Sequence, residues 1–199
     1  MHTVWVRLNA VVFFSLSVLL TLALLASFTS HPSILGDNGN PSSPLSPSIK
    51  TLKLNSLRSL RPHGSVDRAL FSLDISADFN PAFHWNVKQL FVFICAEFST
   101  PSNPLNQVVL WDKIIEAKDV DKVIDEKNSI IKYSLISQGT DLRGVEVELK
   151  MYWDTMPITS TMSMGVGDVV GKFTLPNDYV SKAEKGKVDD KVKRRKRKD

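Results

Sequence analysis

Ionisable side chains are missing from residues 8–30, a stretch made almost wholly of Leu, Val, Ala and Phe. That absence leaves one physical solution, a helix in lipid. At about 1.5 Å rise per residue, the 19 residues from 10 to 28 span roughly 28 Å, close to the hydrocarbon thickness of a bilayer. No second stretch of this kind follows. Lys and Arg are also absent from residue 8 to residue 49, whereas Arg7 and the α-amino group precede the apolar run. Because Lys and Arg near a span set its orientation, the N-terminus is expected in the cytosol and the rest of the chain on the far side, in the endoplasmic reticulum lumen or beyond. Cysteine is nearly absent: with Cys95 alone, no internal disulfide can form even in an oxidising lumen. Cys95 lies in the apolar run 90–96 and is expected to pack as a small buried hydrophobe. Asn-x-Ser/Thr acceptors are missing too, since Asn40-Pro41-Ser42 is excluded by its proline, so no N-glycosylation is expected.

A cleavable secretory signal is the competing reading of the apolar segment. Leu24 spoils the cleavage site ending at Ala26, and Ser27-Phe28-Thr29 offers only a poor one, so the segment reads better as a retained anchor. The chain then divides into a short cytosolic N-terminus (1–9), a transmembrane helix (10–30), a linker rich in Pro, Ser, Gly and Asn (31–48), a lumenal domain (49–180) and a basic tail (181–199). About 150 residues after the linker suffice for one domain with a real core.

The positive charge is confined to the tail, which holds ten Lys or Arg against four acids. Without it the chain has 15 basic and 17 acidic residues, so the folded part is not basic and nucleic acid is not an expected partner. A solvated tail is the simplest reading, with a docking segment for a partner or lipid, or a cytosolic basic patch, as alternatives.

What is present has the period of β-structure. The odd positions from Ala69 to Phe79 are apolar and the even ones from Ser72 to Asp78 polar, the alternation of a half-buried strand. Val145, Val147, Leu149, Met151 and Trp153 repeat it against Glu146, Glu148, Lys150, Tyr152 and Asp154. Residues 90–98 are apolar nearly throughout, which suits a strand covered on both faces, with a buried helix as the alternative that periodicity alone leaves open. Residues 108–115, 130–136 and 169–175 add three strands, 49–60 an edge strand, and only 116–127 reads as helical or loop-like. Five to eight strands without intervening helices predict an all-β fold, an antiparallel β-sandwich-like domain behind a single N-terminal transmembrane helix.

Chemistry-bearing motifs are scarce. None of His2, His31, His63 and His84 stands in a helical ligand pattern with another His, Cys or carboxylate, and neither a G-x-S-x-G elbow nor a phosphate-cradling glycine loop occurs. Asp119-Val120-Asp121 has the form of a metal-binding D-x-D but lies in a segment where nearly every second residue is charged. Ser163-Met164 ahead of Gly167-Asp168 resembles the nucleophile region of membrane-bound signal peptidases. A hydroxyl nucleophile needs a base within hydrogen-bond reach, however, and here every histidine precedes Ser163, while Lys172 falls in the same local segment, in what reads as a loop around Gly165 and Gly167. No catalytic, cofactor-binding or metal-binding residue and no cofactor is therefore assigned.

The order of elements carries a resemblance. A short N-terminus and one span are followed by LDISADF (73–79), HWNVKQLFVFICAEF (84–98), LNQVVLWDKII (105–115), YSLISQGTDLRG (133–144), VELKMYWDTMP (147–157) and LPNDY (175–179). This arrangement resembles the signal peptidase complex subunit 3 family. The resemblance implies an accessory subunit without protease activity of its own. Its lumenal β-rich domain would support the catalytic subunit at the endoplasmic reticulum membrane, where signal peptides are removed from nascent secretory proteins. It further implies, as partners, the catalytic and other accessory subunits of that complex, membrane lipid, and secretory precursors through the complex. The linker and tail lie beyond the shared region.

From the residues alone, a membrane-tethered interaction module is the best reading, with a small lumenal hydrolase or transferase, or a generic lumenal adaptor, as alternatives. Trp111, Tyr133 and Tyr152 are candidates for an exposed contact face, since aromatics are enriched at interfaces, or equally for the core. A deep pocket with convergent ionisable groups would favour the enzyme, a flat apolar patch the subunit.

Overall fold

The structure, a computed structural model, describes residues 3–29, 45–168 and 171–180. The expected linker up to residue 44 and the basic tail lie outside the described residues.

Helix α1 (Val4–Thr29) runs longer than the uncharged stretch and takes in Arg7. Among the described residues it is the one helix long and apolar enough to cross a membrane. Its apolar side chains point outward on every side and none is buried in the protein, the surface expected where lipid is the solvent. Its hydroxyls are turned inward: Ser15 donates to the Val11 carbonyl at 2.8 Å, Ser17 to that of Phe14 at 2.7 Å and Thr21 to that of Ser17 at 2.8 Å. Each of these three hydroxyls thus has a partner within the helix, which bulk hydrocarbon could not supply.

Nine strands follow: β1 (Ser48–His63), β2 (Val66–Asp78), β3 (Val87–Phe98), β4 (Asn106–Glu116), β5 (Val123–Ile130), β6 (Leu135–Ile136), β7 (Glu146–Pro157), β8 (Ser163–Val166) and β9 (Gly171–Thr174). All pairings are antiparallel. One sheet has the order β1-β2-β5 with β6 also on β2, the other β4-β3-β7-β8 with β9 also on β7. The expected half-buried strands are the two centres. Ala69, Phe71, Leu73, Ile75 and Ala77 of β2 face Val147, Leu149, Met151 and Trp153 of β7 across a common core. Edge-to-face ring pairs bridge the layers, Phe71 to Phe173 at 5.3 Å and Phe79 to Trp153 at 6.4 Å between centroids.

Three local expectations need correction. Part of the segment read as helical or loop-like is strand β5, an edge whose Ile124 enters the core while Asp125 and Lys127 stay in water; charges on both faces blunt its β-period and are what an edge strand tolerates. The strand expected over 130–136 is instead the end of β5 and the short β6, separated by a turn. Ser163–Val166, read as loop because of its glycines, is strand β8. Gly165 lies opposite Trp153, and a Cβ there would come within 2.4 Å of the indole, so the glycine makes room for a core ring instead of marking a turn.

The resemblance blocks meet as joints. Buried Asp67 accepts the Leu142 N–H at 3.2 Å and the Tyr179 hydroxyl at 3.0 Å, tying together the 133–144 and 175–179 blocks. The Asn106 amide donates to the carbonyls of Phe98 and Asn103, each at 3.2 Å, and closes the β3–β4 turn. These bonds build the fold.

Candidate interaction surface

The run in β3 was expected to be covered on both faces, but only one is. Leu90, Val92, Ile94, Ala96 and Phe98 lie in the core, whereas Phe91 and Phe93 point away from it and remain half-buried. Strand register extends this outer face sideways, because directly paired residues share a side of the sheet. Phe91 stands between Ile114 of β4 and Asp154 of β7, with Met164 of β8 beyond Asp154. Phe93 stands between Asp112 and Tyr152, with Val166 beyond Tyr152. Ile114, Met164 and Val166 are exposed. The rings form one stack: Phe91 on Phe93 at 5.5 Å and 30°, Phe93 on Tyr152 at 5.3 Å and 12°. Aromatic stacking of this kind is worth about 0.5–1.5 kcal/mol per pair, enough to hold the rings as a preformed flat platform.

Toward the other end of the same face the chemistry turns polar. Glu97 accepts hydrogen bonds from Lys150 at 2.5 Å, the Tyr152 hydroxyl at 2.7 Å and Gln107 at 2.9 Å. The Lys150 bond, joined by those from Tyr152 and Gln107, holds the Glu97 carboxyl below its ordinary value. Burial, reinforced by the bond to Glu97, pushes the Tyr152 phenol up to about 12, so it stays a donor. Lys172 pairs with Glu148 at the same end. The outer face is thus an apolar platform bordered by a satisfied charged cluster, the layout of a protein contact surface with a polar rim.

The other candidate residues are placed as follows. Trp111 is buried in the core, so it does not join Tyr152 on an outer face, and Tyr133 is exposed in the turn between β5 and β6. Cys95 is buried, and that burial pushes its thiol up to about 11. Ser163 pairs with Thr155 and Lys172 with Glu148; seven residues along β7 separate those partners by about 23 Å at the rise of a strand, so Lys172 cannot serve Ser163 as base. Asp119 accepts the Glu116 N–H at 2.8 Å and Asp121 the Val123 N–H at 2.9 Å, which makes both turn-forming residues. Burial lowers the pKa of His84, whose Nδ1 faces the Asn86 N–H at 3.4 Å. Among the described residues no group of three His, Cys, Asp or Glu is placed to hold a metal ion. Two depressions on the described surface are open and lined largely by charged residues, such as Lys53, Asp74 and Glu126 in one and Glu97, Glu146 and Glu148 in the other.

Sequence reasoning missed Phe91 and Phe93 as surface residues. The signal was there, an unbroken apolar strand, but it reports cover on both faces without saying whether the cover belongs to the same chain.

Comparison with known proteins bears on this architecture as a whole. A family model described as signal peptidase subunit matches residues 1–178. Signal peptidase complex subunit 3 of Homo sapiens is 33% identical over 180 residues, covering 90% of this chain and 97% of its own length. The Drosophila melanogaster protein of the same name is 33% identical over 182 residues, covering 91% and 98%. That of Gallus gallus is 38% identical over 119 residues, covering 59% and 66%.

Proposed function

The chain belongs to the signal peptidase subunit family, and on that premise we propose that it is a non-catalytic accessory subunit of the signal peptidase complex in the endoplasmic reticulum membrane. α1 anchors it as a type II single-pass protein. Arg7 stays on the cytosolic side, and the β-domain lies in the lumen beside the serine-protease subunit that removes signal peptides from nascent secretory proteins. The observation that carries this reading is that the family match runs from the membrane helix through the whole described β-domain instead of resting on one motif. The Phe91, Phe93 and Tyr152 platform is the surface we assign to the catalytic subunit: it is preformed, apolar and unmatched by any layer among the described residues.

Support without chemistry has a testable consequence. Depleting the protein makes secretory precursors accumulate with signals attached, and re-expressing the chain through residue 180, without the basic tail, restores processing. Normal processing after full depletion would remove the support role. In sealed microsomes, protease added outside leaves the β-domain intact; digestion of the tail from outside would reverse the topology.

A further inference from the structure

The end of the β-domain nearest α1 carries large apolar side chains that neither the core nor the platform uses. Trp85 is 62% exposed, and Ile158 and Met162 are each 69% exposed. They sit on two turns, one ahead of β3 and one between β7 and β8. Buried Asn86 fastens the turns to each other. The Ile158 N–H donates to the Asn86 carbonyl at 2.8 Å, the Asn86 amide donates to the Thr159 carbonyl at 2.8 Å, and the Thr159 N–H donates to Asn86 Oδ1 at 3.2 Å. Trp85 and Ile158 therefore flank one clamp and are held on one rim. The rim touches the membrane helix: the Ser27 hydroxyl of α1 lies 3.3 Å from that of Ser160. The first residue of β1, Ser48, pairs with Asp78 at this same end.

We infer that this rim, formed by Trp85, Ile158 and Met162, rests in the interfacial layer of the bilayer that α1 crosses, giving the domain a second membrane contact. The inference rests on α1 being a retained span. Ser27 falls in the last turn of α1, where an anchor leaves hydrocarbon for headgroups, so Ser160 lies at the same depth. Ile158 and Met162 are two residues to either side of it, within about 7 Å along the chain. Tryptophan is enriched at this layer, its ring in the acyl boundary and its N–H toward headgroups. The charge pattern agrees, since residues 79–88 and 155–163 contain no carboxylate that an interfacial position would have to desolvate. The nearby turn with Asp119 and Asp121 is charged and stays outside the contact. Two attachments, helix and rim, would fix the tilt of the domain and thereby the height of the Phe91 and Phe93 platform above the membrane.

The test uses the full chain in phosphatidylcholine vesicles, labelled with an environment-sensitive nitrobenzoxadiazole probe at Ile158→Cys or, in a second variant, at Met162→Cys. Leu105→Cys, on the exposed turn at the opposite end of β3, is the aqueous reference. Cys95 is buried with its thiol pushed up to about 11, so it takes up little label. Brominated-acyl lipids should quench the probes at 158 and 162 several-fold more than the probe at 105, and iodide several-fold less. Probes at 158 and 162 that are as open to iodide as the one at 105 and untouched by bromolipid would overturn the inference. Shielding from both quenchers in the assembled complex would also overturn it, by making the rim a protein interface. An alkaline carbonate wash of the same vesicles separates failure of the premise: a chain released to the supernatant lacks the span itself, and the rim contact falls with it.

Discussion

The two sheets share one core but turn opposite kinds of surface outward. Outside the β1-β2-β5 sheet lie Lys53, Ser56, Asp74, Ser76 and Asp78, with Val123, Ile130 and Ile136 exposed singly along its edge strands; the polar groups are joined locally, as where Asn55 and the Asn128 N–H both donate to Asp74 at 2.6 and 2.8 Å. Those bonds hold the Asp74 carboxyl below its ordinary value. Outside the second sheet lie Phe91, Phe93, Tyr152, Ile114, Met164 and Val166. The first face is finished by water. The second stacks aromatic rings with exposed apolar neighbours, which is why the proposal above gives this face to a partner.

Breaking the shared core is expected to have the largest effect on stability. Phe71→Ala removes the ring that joins both layers and should cost about 3–5 kcal/mol in denaturant unfolding of the full chain, whichever outer face is considered. The paired change Phe91→Ser with Phe93→Ser should cost the fold about 1–3 kcal/mol, mostly the two stacked pairs it removes, since half-exposed rings lose little transfer energy. Yet it should abolish co-purification with the catalytic subunit in mild detergent. A fold-level loss as large as that of Phe71→Ala would mean that the platform is core, and would erase the contrast between the faces.

Much of this was legible in sequence, and the residues explain which part. Strands β2 and β7 alternate because water lies on one side and core on the other, so Ala69 to Ala77 and Val147 to Trp153 announce themselves. Strand β5 hid because Asp125, Glu126 and Lys127 crowd an edge that needs only Ile124 to hold it. Strand β8 hid because Gly165 serves Trp153, and a glycine selected for close approach carries the same letter as one selected for a turn. Trp111 could not be assigned to core or surface without knowing that β4 turns it inward. The platform was half legible: the apolar strand was visible, but that Phe91 and Phe93 stay half-buried was not, because an unbroken apolar run does not say which of its faces the same chain covers.

The polar border sharpens the contrast with a smaller effect. Glu97→Gln weakens the bonds to Lys150 and Tyr152 and should destabilise the chain by about 1–2 kcal/mol at neutral pH. Because folding lowers the Glu97 pKa, this stabilisation is present above the carboxyl's ordinary value of 4.5 and is lost as pH falls through the folded-state value. Unfolding curves of the two forms should therefore converge on acidification below pH 4.5. A gap that persists there would assign the effect to shape instead of charge. The smallest effect belongs to Ser163→Ala, within about 0.5 kcal/mol in stability and with unchanged signal-peptide processing, because Lys172, the base nearest in sequence, lies far from that hydroxyl. Loss of processing with the complex still assembled would restore Ser163 as a nucleophile.

The most direct test compares the two outer faces inside the native complex. A photoreactive phenylalanine analogue is placed at Phe93 on the apolar face or at Ser76 on the polar one, and microsomes are irradiated. The account predicts a crosslink to the catalytic subunit from position 93 and none from position 76. A crosslink from position 76 with none from position 93 would contradict it.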